Sequence, residues 1–298
     1  MKQTISIVIP AFNEERVILK LTTALIHAMN ALPQFEFETI IVEHGSTDDT
    51  FNQLLKARKK DKRIKILKLA KNVGCDGGII AGLTYATGDA AIVMMADLQD
   101  NPNAIPQFIK KWQEGYHVVY AVVTKRPHVK FYKQLGALIF YKIMNYFSNG
   151  LMPENVSDFR LMDKSVYRAL TAMPEHNKFF RGLVAWSGFR QTGIPVPRAE
   201  RAAGEPKSDF RTLFKVASNG IISFSNFPLR IPWLFSVLFF LGGVIALLFT
   251  NTLISILLFS FAFLMIVMGI QGEYIARIFE ETRKRPNFIV QELHGLKI

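Results

Sequence analysis

The chain has 298 residues, half of them hydrophobic, and its 36 lysines and arginines exceed its 24 aspartates and glutamates by 12. That length holds one large domain plus an appendage, and the basic excess suits phosphorylated ligands, anionic lipid headgroups or nucleic acid without choosing among them. The single Cys75 excludes an intramolecular disulfide and reads as an inert small residue near a turn.

The chain opens with a β-branched run at residues 5–10, stopped by Pro10, and Asn13, Glu14 and Glu15 then begin a helical pattern lasting to about Met29. The first apolar run meets these polar residues too soon for a signal peptide. A second strand at 37–42 ends in EHGSTDD (43–49), where Ser and Asp can cap a helix running to about Lys59. Residues 64–69 give a third strand. NVGCDGG (72–78) reads as a flexible turn, 79–86 as a short helix and 90–95 as a fourth strand. A helical pattern at 104–114 and a strand pattern at 117–122 follow.

Strands alternating with helices predict a doubly wound, mostly parallel α/β sheet, in which ligands bind beyond the carboxyl ends of the strands. The polar groups of this half collect at those ends: Asn13 and Glu14, Glu43 and Ser46, Asn72 and Asp76, Asp97 and Gln99. Residues 46–49 are equally readable as ordinary helix caps. Asp97, Gln99 and Asp100 are less so, because acids directly after a buried strand are costly unless a cation sits there. Their oxygens suit Mg²⁺ or Mn²⁺ bridging a diphosphate, and no His/Cys spacing suggests zinc.

Beyond the fifth strand, residues 131–147 carry aromatic and apolar residues at helical spacing with Lys130, Lys133 and Lys142 interleaved. This is either a helix lying on a bilayer surface or a core helix with a solvated lysine face. Residues 210–225 are similarly amphipathic. Residues 233–270 contain no Asp, Glu, Lys or Arg, and divide at Asn251 and Thr252 into two stretches of about 18 residues, each roughly 27 Å as helix and close to a hydrocarbon core of about 30 Å. The simplest reading is a transmembrane hairpin, with a buried soluble hairpin as the rival. Arg230 before it, and Arg277, Arg283, Lys284 and Arg285 after it, would place both ends in the cytoplasm. The expected organisation is a cytoplasmic catalytic domain (1–208), a juxtamembrane amphipathic segment (209–230), two transmembrane helices (231–272, about 233–250 and 253–270) and a basic cytoplasmic tail (273–298).

Several motifs make the chain resemble the family 2 glycosyltransferases of the GT-A fold. IVIPAFNEE (7–15) is similar to their opening strand, EHGSTDD (43–49) to their acidic pair and Gly-Ser-x-Asp, and DLQDNP (97–102) to their metal motif. VSDFRLM (156–162), RAER (198–201), GEPK (204–207) and ISFSNFPLR (222–230) narrow the resemblance to polyprenyl-phosphate glycosyltransferases, the group of dolichol-phosphate mannose synthase and the bacterial bactoprenol glucosyltransferases.

The resemblance implies inverting transfer of a hexose from a nucleoside diphosphate sugar to a polyprenyl phosphate at the cytoplasmic face of a bacterial inner membrane. It implies Asp97, Asp158 and Arg160 as catalytic, and Pro10, Asn13, Glu14, Glu43, Ser46, Asp76 and Asp97 on the donor. Arg126, Arg160, Arg201 and Lys207 would hold the acceptor phosphate, with Asp97 and Gln99 on Mg²⁺ or Mn²⁺. Glu205 and Lys207 would belong to a closing loop. Asp158 either lines the sugar or acceptor side or pairs with a nearby Arg. Two positions depart from the family pattern: Glu43 stands for an Asp, and Met95 stands where a second acid is expected, which predicts weaker metal binding or altered donor preference. A lipid or glycan hydroxyl acceptor, and a membrane-anchored nucleotide-sugar binder without catalysis, are the alternatives. A homo-oligomer is compatible with the sequence, and no nucleic-acid-binding module is recognisable.

Overall fold

The computed structural model describes residues 2–124, 156–175, 178–197 and 253–297. Among the described residues eight strands form one mixed sheet: β1 (Thr4–Ala11), β2 (Glu36–His44), β3 (Ile64–Leu69), β4 (Ala90–Val93), β5 (Val118–Val123), β6 (Val156–Asp163), β7 (Gln191–Val196) and β8 (Val290–His294). Their order across the sheet is β7-β5-β6-β4-β1-β2-β3-β8. The block β4-β1-β2-β3 is parallel, β6 runs antiparallel to both β4 and β5, and β8 runs antiparallel to β3.

Parallel strands covered on both faces read as unbroken apolar runs. In β1 the side chains of Ile5, Ile7 and Ile9 enter a core with Leu21 and Leu25 of α1 (Ile18–Asn30), Leu54 of α2 (Thr50–Lys60) and Phe108 of α4 (Ile105–Gln113). Val8 faces the other way, with Val42 and Val93, toward Ile79 and Leu83 of α3 (Gly74–Tyr85), Tyr167 of α5 (Lys164–Ala172) and Phe180 of α6 (Phe180–Trp186). The sheet therefore lies between two helical layers, and the α/β class expected from the sequence holds, with β6 and β8 making the sheet mixed.

Three local expectations change. The first helix begins at Ile18, not at Asn13, because residues 13–15 spend their backbone groups on the loop after β2. The glycine-rich stretch expected as a turn is helical from Gly74, whose φ of 73° opens the helix, while Gly78 packs where a Cβ would stand 3.0 Å from Pro10 Cβ. Residues expected as a charged tail include the end of a long helix, α7 (Leu253–Thr282), and the edge strand β8. The Lys68 ammonium holds Glu292 of β8 at 2.6 Å and stands 4.0 Å over the Phe51 ring, and the Ala70 amide donates to the Ile289 carbonyl.

Among the described residues no helix is long and apolar enough to cross a membrane. The outer surface of α7 nevertheless exposes Leu257, Phe259, Leu264, Ile266 and Met268. The first expected span (233–250), the juxtamembrane segment (209–230), the amphipathic stretch 131–147, and Arg126, Arg201, Glu205 and Lys207 lie outside the described residues.

Candidate active site

At the carboxyl ends of β1 and β2 the two loops are stitched together. Asn13 adopts a left-handed backbone (φ 55°), and its amide donates to Ser46 Oγ at 3.0 Å while its Oδ1 accepts from the Thr47 amide at 2.8 Å. The Glu14 amide donates to Thr50 Oγ1, the Glu15 amide to Asp48, and the Asp49 amide returns a bond to Glu15 Oε2. Glu43, 2% exposed, accepts from the Ser46 amide at 2.5 Å. Ser46 thus joins the loops, and the carboxylate of Asp48 takes the Thr50 amide and hydroxyl. Hydrogen bonds hold the Asp48 carboxyl below its usual range despite the opposing effect of desolvation.

His44 is buried, stacks on Phe12 with ring centroids 5.6 Å apart, and shares a 3.1 Å hydrogen bond between Nδ1 and Asn72 Oδ1. Asn72 Oδ1 also accepts from the Gly74 amide, ordering the entry to α3. Pro10 pairs in register with Val42 and contacts the line where α3 crosses: a Cβ on Gly78 would stand 3.0 Å from Pro10 Cβ. Pro10, Asn13, Glu14, Glu43 and Ser46 therefore gather at one edge.

β4 ends at Val93, and the following loop turns on Leu98 (φ 59°). Asp97 Oδ1 accepts from the Gln99 amide at 3.2 Å, so one side of this carboxylate shapes its own loop. Buried Asp100, whose structural role the sequence does not disclose, accepts from the Met95 amide at 3.0 Å and from Ser157 Oγ at 3.5 Å. It ties the loop to the start of β6.

On the other side of β4 lies a cluster drawn from α3, β6 and α6. Asp158 is gripped by the guanidinium of Arg181 through two short hydrogen bonds, and Arg160 stands 3.9 Å away. Asp76, in the first turn of α3, is hydrogen-bonded by the Phe180 amide; desolvation and the neighbouring charge of Asp158 push its carboxyl up to about 7. Cys75 is solvent-accessible, but the surrounding protein, with Asp158, Asp76 and Asp97, drives its thiol far above the usual range, and its Sγ meets the Met95 Sδ at 3.6 Å.

Arg160, expected to meet a phosphate, is instead 3% exposed: its NH2 donates to the Ser157 carbonyl, its guanidinium lies 5.1 Å from the Phe180 ring centroid, and burial pulls it down to about 10. It remains a cation at neutral pH, but a buried one. Arg181, to which no sequence motif points, is the more exposed partner of Asp158. Only its place at the head of a short helix marks it, and nothing in the pattern around it announces a contact with β6.

Among the described residues no group of three or more His, Cys, Asp or Glu is placed to hold a metal. Mg²⁺ commonly takes one or two protein ligands and draws the rest from phosphates and water. Asp97 with Gln99 fits that sparse donor set, whereas the soft thioether of Met95 does not extend it.

Polar loops at the carboxyl edge of a parallel block, an oxygen-bearing turn after the fourth strand and an antiparallel sixth strand define a GT-A-like α/β enzyme. Residues 6–171 match the family described as glycosyl transferase family 2. The chain belongs to that family and is a glycosyltransferase. It is 38% identical to an uncharacterised glycosyltransferase of Bacillus subtilis, covering 98% of this chain and 94% of that one. It is 37% identical to a prophage bactoprenol glucosyl transferase homologue of Escherichia coli K12 (97% and 99% covered). It is 35% identical to a bactoprenol glucosyl transferase of Shigella phage SfII (97% and 98% covered). Among solved structures, the fold resembles glucosyl-3-phosphoglycerate synthase of Mycobacterium tuberculosis, crystallised with Mn²⁺, UDP-glucose and phosphoglyceric acid, with a TM-score of 0.53, 17% identity, and 74% and 79% of the two chains covered.

Proposed function

We propose that the enzyme transfers a hexose, with inversion, from a nucleoside diphosphate sugar to a polyprenyl phosphate at the cytoplasmic face of a bacterial membrane. The observation that carries the reading is the position of Asp97 and Gln99. They follow β4, with the stitched loops of β1 and β2 on one side and the cluster of Asp76, Asp158 and Arg181 on the other. Kinship over nearly the whole chain with bactoprenol glucosyl transferases supports the acceptor.

Asn13, Glu14, Glu43 and Ser46 are assigned to the nucleoside, with Pro10 shaping the floor beneath it. Asp97 and Gln99 would hold a divalent cation, Mg²⁺ or Mn²⁺, whose charge offsets that of the diphosphate. A phosphate oxygen of the lipid forms the new bond to the anomeric carbon while the bond to the diphosphate breaks. A phosphate monoester is already anionic at neutral pH, so this step needs no strong general base. That agrees with an Asp158 carboxylate committed to Arg181. Arg126, Arg201 and Lys207 are assigned to positioning the acceptor phosphate. The apolar surface of α7, together with residues 209–250, is assigned to holding the domain at the bilayer.

The test is transfer of labelled hexose from a panel of nucleotide sugars by the purified enzyme, with and without polyprenyl phosphate, in Mg²⁺ or Mn²⁺. Label should appear in a lipid-soluble product only when polyprenyl phosphate is added, and transfer that ignores this addition would overturn the reading. A hydroxyl acceptor is the second reading, favoured by one observation: Asp76, with a pKa of about 7, could serve as a base. It predicts transfer to a neutral lipid or glycan, rising in rate through pH 7.

A further inference from the structure

The cluster beside Asp97 contains more carboxyl groups than a phosphate site would tolerate. Asp76 comes from α3, Asp158 from β6 and Asp97 from the loop after β4, and the Cys75 thiol feels all three. A site for an anion alone would place cations there. The two arginines of the cluster are already engaged with the protein, Arg160 beneath Phe180 and Arg181 on Asp158.

The geometry of that second pair is informative. Arg181 meets Asp158 through Nε and NH2, the side-on fork that fixes both the orientation and the ionised state of a carboxylate. The two side chains are 36% and 14% exposed, so the pair is partly open to solvent and not sealed in the core. A pair this exposed contributes little to stability, commonly about 0–1 kcal/mol. The register of β4 with β6 ends at Val93 and Arg160, and beyond this pair the loop after β4 carries Met95 while β6 carries Asp158. Cys75 Sγ meets Met95 Sδ at 3.6 Å, and Asp158 and Asp97 both act on the Cys75 thiol. A carboxylate fixed in this way presents hydrogen-bond acceptors at the site, which is the complement of a hydroxyl-bearing ring and not of a phosphate.

We propose that Arg181 is a positioning residue that holds Asp158 ionised and aimed at a hydroxyl of the hexose carried by the donor, so that the Arg181–Asp158 pair distinguishes a nucleotide sugar from the bare nucleotide. This rests on the reading of the chain as nucleotide-sugar dependent, and it does not depend on the acceptor. Arg181 acts through Asp158. The contribution of the pair is therefore confined to the sugar half of the donor, leaving the nucleotide half to the loops after β1 and β2.

The experiment is calorimetric titration of the purified full-length enzyme with UDP and UDP-glucose, and with GDP and GDP-mannose, in Mn²⁺ and without acceptor; the better-bound pair is carried forward. Arg181→Met should weaken the nucleotide sugar by roughly tenfold, the weight of one charge-assisted hydrogen bond, and leave the bare nucleotide within about twofold. Asp158→Asn should reproduce the loss, the double variant should add nothing further, and Arg181→Lys should recover part of the affinity. Thermal melts show which variants are folded. If Arg181→Met proves unstable, Arg181→Lys and Asp158→Asn still decide between the outcomes. Equal weakening of nucleotide and nucleotide sugar, additive losses, or no change in either would overturn the proposal. If neither nucleotide sugar binds more tightly than its bare nucleotide in the unsubstituted enzyme, the proposal is overturned as well. Dependence on polyprenyl phosphate is read in the separate transfer assay, so failure there leaves this result standing.

Discussion

Asp76 shows how one residue can be legible in position and illegible in state. Its place after the third strand marks it as a site residue, but its environment comes from elements remote in sequence: Asp158 on β6 and the Phe180 amide at the head of α6. Its carboxyl is raised from an ordinary 3.8 to about 7 by desolvation first and by Asp158 second. A raised carboxylic acid keeps its proton in the folded state where the unfolded chain has lost it, so its contribution to stability declines as pH climbs from about 4 to about 7 and stays low above that. Asp76→Asn, neutral throughout, should therefore flatten this part of the stability profile. The gain above pH 7 should be on the order of 2 kcal/mol, discounting the full shift for partial solvent screening. Urea melts at pH 5 and pH 8 measure it, and an unchanged difference between the two pH values in the variant would show that the group is not raised. Arg181 stands at the opposite extreme, since its partner lies 23 residues away on another element and no local pattern points to it.

At the scale of elements, α3 illustrates how packing decides what a glycine is for. Read locally, NVGCDGG suggests flexibility, yet the helix runs straight through it from Gly74. The reason lies under the helix: a Cβ on Gly82 would come within 2.4 Å of Val8 Cγ1 and 2.9 Å of Val42 Cγ2, and one on Gly78 within 3.0 Å of Pro10. The helix lies so close to β1 and β2 that only glycine fits, and this closeness seats Cys75 and Asp76 at the strand ends. Gly82→Ala should cost about 1–3 kcal/mol through overpacking, measurable as a lowered urea midpoint, and should reduce transfer activity by tilting the first turn of α3. Val8→Ala removes one of the obstructing methyl groups, so the double variant should recover part of the lost stability; simple addition of the two losses would contradict the packing account. The opposite edge of the sheet serves stability. There buried Glu38 accepts from Ser6, Lys65 and both the amide and hydroxyl of Thr87. These bonds hold its carboxyl below the usual range although desolvation, the largest single influence, opposes them.

For the whole molecule, the parallel block was readable because its strands are β-branched runs with turn residues at fixed intervals, and the candidate site was readable because polar residues collect where those runs stop. The return of the chain to the sheet was not readable. β8 is five residues, Val-Gln-Glu-Leu-His, with no clean alternation, and its pairing with β3 joins positions more than 200 apart in sequence. Its attachment bears on the site. Ala70, whose amide donates to the Ile289 carbonyl, is followed at two residues' distance by Asn72, which in turn orders His44 and the entry to α3. Phe288, Val290, Leu293 and Leu296 pack against the same apolar layer that supports α3. The strand thus links the long helix α7 to the wall assigned to the nucleoside. Deleting residues 288–298 should remove this brace, lowering the melting temperature by several degrees, as expected for a loss of about 2 kcal/mol in a domain of this size. The larger signature should be kinetic: the donor KM should rise severalfold, because the Asn72 loop loses its support, while the metal concentration needed for half-maximal transfer stays the same, because Asp97 and Gln99 lie beyond β1 on the far side of the sheet order. A shift in metal requirement with an unchanged donor KM would place the influence of β8 elsewhere.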